Sequence, residues 1–245
     1  VVHLARTGQP LPELAPEQWR DLALSGVIGL ALCDQAMFLA FGMIGPRQVM
    51  LVQTTTPLFG LALGFVLLDE TVGVAAASGV AVTLLGVAWV VSERGGRGVP
   101  RHPLVGRGLA LAVLAAALQA VGALLAKRGM GHGSLAPEAR LDPLAATYMR
   151  MLFGTLGVLP LVALAGWRQR RARAAGLPAQ ARPDPASRRR GWQCLVAATV
   201  LGPVLGVWLS LEAFDRVEVG LAQTLIGLSP VVILPLVALG GERVS

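Results

Sequence analysis

The chain has 245 residues, a net charge of +7, 54% hydrophobic residues and 14% charged ones. Soluble domains run at about 45–50% apolar and about 25% charged, so these figures exclude a disordered chain and argue against an ordinary soluble domain. Mean hydropathy is +0.65. Apolar stretches of about 20 residues recur, each long enough to cross a hydrocarbon core of about 30 Å.

The opening VVHLARTGQPLPELAPEQWR is polar and Pro-rich, like a loop between helices, and carries no cleavable signal peptide. Seven spans follow, at 22–44, 49–68, 72–91, 109–126, 144–166, 192–211 and 219–239. They lack the period-2 alternation of barrel strands and exceed the barrel-strand length of about 10 residues, so the expectation is an all-α polytopic membrane protein. Gly45-Pro46-Arg47 and Asp69-Glu70-Thr71 fit tight turns between antiparallel helices. The loop 168–190 is the longest and is rich in Arg and Pro. The chain begins at Val1 and stops at GERVS just after an apolar run, which reads as a fragment cut at both ends.

Twenty of the 21 basic residues are Arg, and most flank spans. The basic charge is thus a topology signal and not a nucleic-acid surface, which would interleave aromatics on a folded face. Loops after spans one, three, five and seven hold fourteen basic residues, among them Arg94, Arg97, Arg101, Arg107 and eight arginines from Arg168 to Arg190. The other side holds six: Arg6, Arg20, Lys127, Arg128, Arg140 and Arg216. By the positive-inside rule the fourteen-residue side is cytoplasmic. Cys33 and Cys194 both lie in apolar runs, as small buried residues do, and form no disulfide framework.

Residues 29–70 align with 202–242 at an offset of 173. Gly29 meets Gly202, Ala40-Phe41 meets Ala213-Phe214, Pro57 meets Pro230, and one gap brings Glu70 onto Glu242. Each copy reads span, short turn, span with Pro one-third in, then an acidic end. Completing both copies gives five helices each, with two spans expected before residue 1 and one after residue 245. An odd number of helices per unit forces opposite orientations, the inverted-repeat plan of secondary transporters with a midplane site. On this 5+5 plan, 1–91 are the last three helices of the first repeat, 92–108 a linker, and 109–245 a second repeat lacking its last helix.

LVQTTTPLFGLALGFVLLDETV and LAQTLIGLSPVVILPLVALGGERVS resemble the Ser/Thr-Pro helix, apolar run and Gly-Glu-Arg ending of the drug/metabolite transporter superfamily, EamA type. The first copy departs in reading Leu-Asp-Glu for Gly-Glu-Arg. ATYMRMLFGTL resembles the Arg-bearing second helix of each family repeat. The resemblance runs from about residue 20 onward and implies helices three to nine of a ten-helix inverted-repeat transporter. It also implies that both ends of the full chain are cytoplasmic, which would place 92–107 and 168–190 outside, against the charge count. Orientation therefore stays open.

Ionisable groups within spans cost about 2.5–3.5 kcal/mol at the bilayer centre, so each is a functional candidate. Asp34, mid-span, is a proton or cation acceptor or an interhelical hydrogen-bond partner. Arg150 is an anion or carboxylate site, or else snorkels to the interface, about 9 Å from the start of its helix. Lys127, the one lysine, ends span four as an ordinary cation on a helix C-terminus. Gln35, Gln53, Gln119, Trp208 and Gln223 line a cavity or bond helices together. Pro57 and Pro230 break their helices as hinges or static bends, with Thr54, Thr55, Thr56 and Ser229 supplying hydroxyls to freed carbonyls. Thr55 and the exposed carbonyls are also substrate-contact candidates. Gly60-xxx-Gly64 and Gly202-xxx-Gly206 fit close helix packing.

His3, His102 and His132 lie in loops without His-Glu-x-x-His, and neither Gly-x-Ser-x-Gly nor Gly-x-x-x-x-Gly-Lys occurs. No metal, cofactor or catalytic group is expected, and the chain is not an enzyme. The leading reading is a secondary transporter or exporter of small amino-acid-like or drug-like solutes in a bacterial-type inner membrane. Membrane lipid is its partner, with proton or ion coupling and a monomer or homodimer as the open choices. The alternative is a seven-span receptor-like protein. A retinal protein would need a late-span lysine, and spans five to seven contain none.

Overall fold

The computed structural model describes residues 14–68, positions scattered between 73 and 86, and 105–135, 140–174 and 185–227. Most of the expected spans at 72–91 and 219–239, with Pro230, lies outside the described residues. Every regular element described is helical. Five helices are long and apolar enough to cross a bilayer: Pro16–Ile44, Gln48–Leu68, Val105–Gly129, Pro143–Arg171 and Arg188–Arg216. The fold is that of a polytopic helical membrane protein.

In chain order the elements are α1 (Pro16–Gly26), a first π segment (Val27–Leu32), α2 (Cys33–Ile44), α3 (Pro46–Gln53) and α4 (Thr56–Leu68). Then come α5 (Val105–Gly129), α6 (Pro143–Ala174), α7 (Pro185–Thr199), a second π segment (Val200–Val204), α8 (Leu205–Arg216) and α9 (Val219–Gly227). The helices overrun the apolar spans at their polar ends because hydropathy marks only the hydrocarbon-facing part. Pro16 starts α1, where its missing N–H costs nothing, and Gln18 Oε1 accepts the Ala15 N–H at 3.0 Å. Gly45, at φ 81°, makes the turn from α2 to α3, and Pro46 restarts the helix.

Pro57 removes the N–H that would bond the Gln53 carbonyl. Thr56 Oγ1 donates to that carbonyl at 2.7 Å, and Thr54 and Thr55 donate to Leu51 and Val52 at 2.6 and 2.7 Å. The sequence expectation that these threonines satisfy the carbonyls around Pro57 is met in the separation of α3 from α4.

The two π segments begin 173 residues apart, the offset of the sequence repeat, and α3 and α9 begin 173 residues apart as well. In the second, Pro203 lacks the N–H that an α-helical ladder requires. In the first, tight packing is the local cause: a Cβ on Gly29 would lie 2.8 Å from Gly122 Cα.

α5 is the central helix, packed by α1 through α4 and by α6, α8 and α9. Its buried face is nearly all small: Gly108, Ala112, Ala115, Ala116, Ala120, Gly122, Ala123 and Ala126. Small residues let backbones approach closely, which is what holds membrane helices together when lipid is as apolar as Leu. The main apolar core gathers at one end of the bundle, around Leu22, Met130, Met149, Leu211 and Phe214. Gly60 and Gly64 are buried where α4 meets α9, as their spacing suggests. Among the described residues nothing lies within 4 Å of a Cβ placed on Gly202 or Gly206. Their segment touches only its own chain neighbours α7 and α8 among the described elements.

Candidate functional site

Arg150 lies on α6 two turns from its start, and its side chain is buried, 3% exposed. It does not snorkel. Glycines of α1 and the first π segment make its room. A Cβ on Gly26 would lie 2.5 Å from the Arg150 carbonyl, and one on Gly29 2.9 Å from Arg150 Nη2. Arg150 Nε is buried and has no hydrogen-bond partner. The guanidinium lies within Coulombic reach of Asp34 and Cys33.

Asp34 is exposed at the start of α2, as is Gln35. Cys33 beside it is buried, and its Sγ faces the Ala115 carbonyl at 3.3 Å and Gln119 Oε1 at 3.4 Å. Gln119 itself is exposed on α5. One turn further along α2, Met37 Sδ accepts from Gln53 Nε2 at 3.6 Å, and Gln53 Oε1 is buried without a partner. The fold thus strings Arg150, Asp34, Gln119 and Gln53 along α2, in the angle between α2, α5 and α6. Chemically the string offers a buried fork of donors, an accessible carboxylate and two amides.

The remaining candidates sit elsewhere. Gln223 on α9 packs against Gly60, with both amide atoms buried and unpartnered. Thr55 is committed to the Val52 carbonyl. Trp208 is half-buried on α8. Lys127 is buried and does more than complement a helix end: its Nζ donates to the Val217 carbonyl at 2.7 Å, joining the end of α5 to the end of α8.

That junction includes residues not singled out in the sequence. His132 Nε2 faces both the backbone carbonyl and the carboxylate of Asp215 at 3.3 Å, and its Nδ1 faces the Lys127 carbonyl at 3.2 Å. Asp21 pairs with Arg20 at 3.1 Å and Arg128 at 3.4 Å, joining α1 to α5. A pocket of about 390 Å³ opens here, lined by Glu17, Gln18, Asp21, Arg128, His132 and Ser134. Burial pushes the His132 pKa below its ordinary 6.5. The Asp215 carbonyl and carboxylate oppose the shift, while Arg140 and Lys127 reinforce it. No fixed spacing announces the pairs His132–Asp215 and Asp21–Arg128, whose members lie 83 and 107 positions apart. Among the described residues no group of three or more His, Cys, Asp or Glu side chains is placed to hold a metal.

A helical bundle carrying buried, unpartnered polar groups among its spans is the architecture of a membrane protein that handles polar solutes. The chain belongs to the EamA-like transporter family, which it matches over residues 1–92 and 106–245. It is accordingly a membrane transporter of small solutes, from a family of transporters and not of enzymes. Neither a curated protein nor a solved structure gives a match to it.

Proposed function

We propose that the chain moves amino-acid-like or drug-like solutes by alternating access, and that the string from Arg150 through Asp34 to Gln53 is its solute path. The observation that carries this reading is the buried Arg150, whose Nε has no hydrogen-bond partner among the described residues. A buried charged group left unsatisfied costs upwards of about 1–3 kcal/mol, and an anionic solute group in the adjacent angle would recover it. Asp34, accessible and of opposite sign, suits the cationic part of a solute or a coupling proton.

The inverted 5+5 repeat is supported by the π segments and helix restarts, which recur at the sequence offset of 173. The two matched stretches also leave a gap at 93–105, where the sequence places the linker between repeats. By its arginines, the side bearing 168–190 is cytoplasmic in an inner membrane.

The test is uptake and counterflow in proteoliposomes with a panel of labelled amino acids and cationic dyes. Arg150→Gln should lower flux of an accepted solute about tenfold or more, the worth of one charge-assisted hydrogen bond. Asp34→Asn should abolish pH dependence. Unchanged flux in both variants would refute this path.

A further inference from the structure

The cations at the two ends of the bundle are treated differently. At the α1 end Arg20 and Arg128 are answered by Asp21, Arg216 by Glu212 and Lys127 by the Val217 carbonyl, while the Nε of Arg140 is buried there with no hydrogen-bond partner among the described residues. At the other end, Arg168, Arg170, Arg171, Arg188, Arg189 and Arg190 are all exposed. Neither α6 nor α7 contains an acidic residue. Among the described residues none of these six forms an ion pair.

Their depth is fixed by helix geometry. α6 has 32 residues, which at 1.5 Å each is about 48 Å, against a hydrocarbon core of about 30 Å. Trp167 falls about 36 Å along it, past the core and in the headgroup layer. Arg168, Arg170 and Arg171 follow immediately. α7 repeats the order in reverse: Arg188, Arg189 and Arg190, then Trp192, then an apolar run whose Leu195, Val196 and Leu201 are exposed. In both helices a tryptophan marks the interface and arginines lie just outside it. Trp167 is 49% and Trp192 62% exposed, and the Arg171 guanidinium lies 4.0 Å from the centre of the Trp167 ring. That stacking holds the cation level with the interface and leaves its N–H groups facing outward.

We infer that this Arg–Trp collar binds the headgroups of anionic phospholipids in its leaflet. Guanidinium forks match phosphate oxygens, the tryptophans seat among the upper acyl chains, and the opposite end, where Asp21 and Glu212 pair with three of the arginines, has a weaker preference.

Quenching of tryptophan fluorescence by brominated lipid tests this in the full chain reconstituted in phosphatidylcholine. Brominated phosphatidylglycerol should quench more than brominated phosphatidylcholine at equal mole fraction. An enrichment of about fivefold at the collar corresponds to the attraction of a single arginine near an anionic surface. High salt should erase the preference, and so should replacing all six arginines by glutamine. Arg20→Gln with Arg216→Gln should leave it intact. Equal quenching by the two lipids in the unaltered protein would overturn the inference. So would a preference that survives both high salt and the six replacements. The salt arm decides by itself if the sixfold variant does not fold.

Discussion

Arg150 and His132 show what position does to a titratable side chain. Arg150 gives up its hydration to sit against Gly29, and its Nε gains no bond in return. A buried guanidinium with a hydrogen-bond donor left unsatisfied carries a desolvation cost that an apolar chain of similar volume does not. Arg150→Met should therefore unfold at a temperature no lower than the parent in detergent while losing flux. A clear loss of thermal stability would show that the guanidinium has a structural partner. His132 lies beyond the end of α5, where burial disfavours its imidazolium. Its folded pKa is below its unfolded one, so its contribution to stability is complete above about pH 6.5. That contribution is lost as pH falls from there through the folded pKa. Thermal unfolding between pH 7.5 and 5.5 should show a loss on acidification that shrinks in His132→Gln. Equal losses in both proteins would rule the histidine out as its source.

At the scale of elements, small residues govern the packing. Where the first π segment crosses α5 and α6, Gly26, Gly29, Gly122 and Gly154 bring backbones nearly into contact. Gly29→Ala should cost about 1–3 kcal/mol, because a Cβ there meets backbone at 2.8 Å and Arg150 at 2.9 Å. Gly42→Ala is the control: nothing lies within 4 Å, and alanine favours a helix interior by up to about 1 kcal/mol. Thermal unfolding of the two variants should move in opposite directions; equal destabilisation would mean that the helices do not approach as closely as this. The Gly60 and Gly202 spacings are alike in sequence, yet among the described residues only the first meets a neighbouring helix. A small-xxx-small pattern offers a surface, and whether a partner meets it depends on the path of other helices.

For the whole molecule, the two ends are unlike. The α1 end is tied by Asp21–Arg128, Lys127–Val217 and His132–Asp215, above the main core. Among the described residues the far ends of α6 and α7 are largely exposed. The alternating access proposed for the chain requires those ties to open. Cysteines at positions 21 and 128 bridged by a cleavable bifunctional thiol reagent should therefore stop flux, and cleavage should restore it. Flux that continues through the bridge would exclude opening at this end. The long apolar spans and the helix break at Pro57 were legible from the sequence, because hydrocarbon thickness and a missing N–H are local or linear signals. Arg150, Asp34, Gln53 and Gln119 were legible as polar groups in apolar runs, but not as neighbours. Burial of Arg150, the salt bridges of Asp21, the seat of His132 and the centrality of α5 came only from tertiary structure. Each depends on which helix faces which, and helices so uniformly apolar carry little in their own pattern to specify that. The choice is made by where glycine and alanine permit backbones to touch.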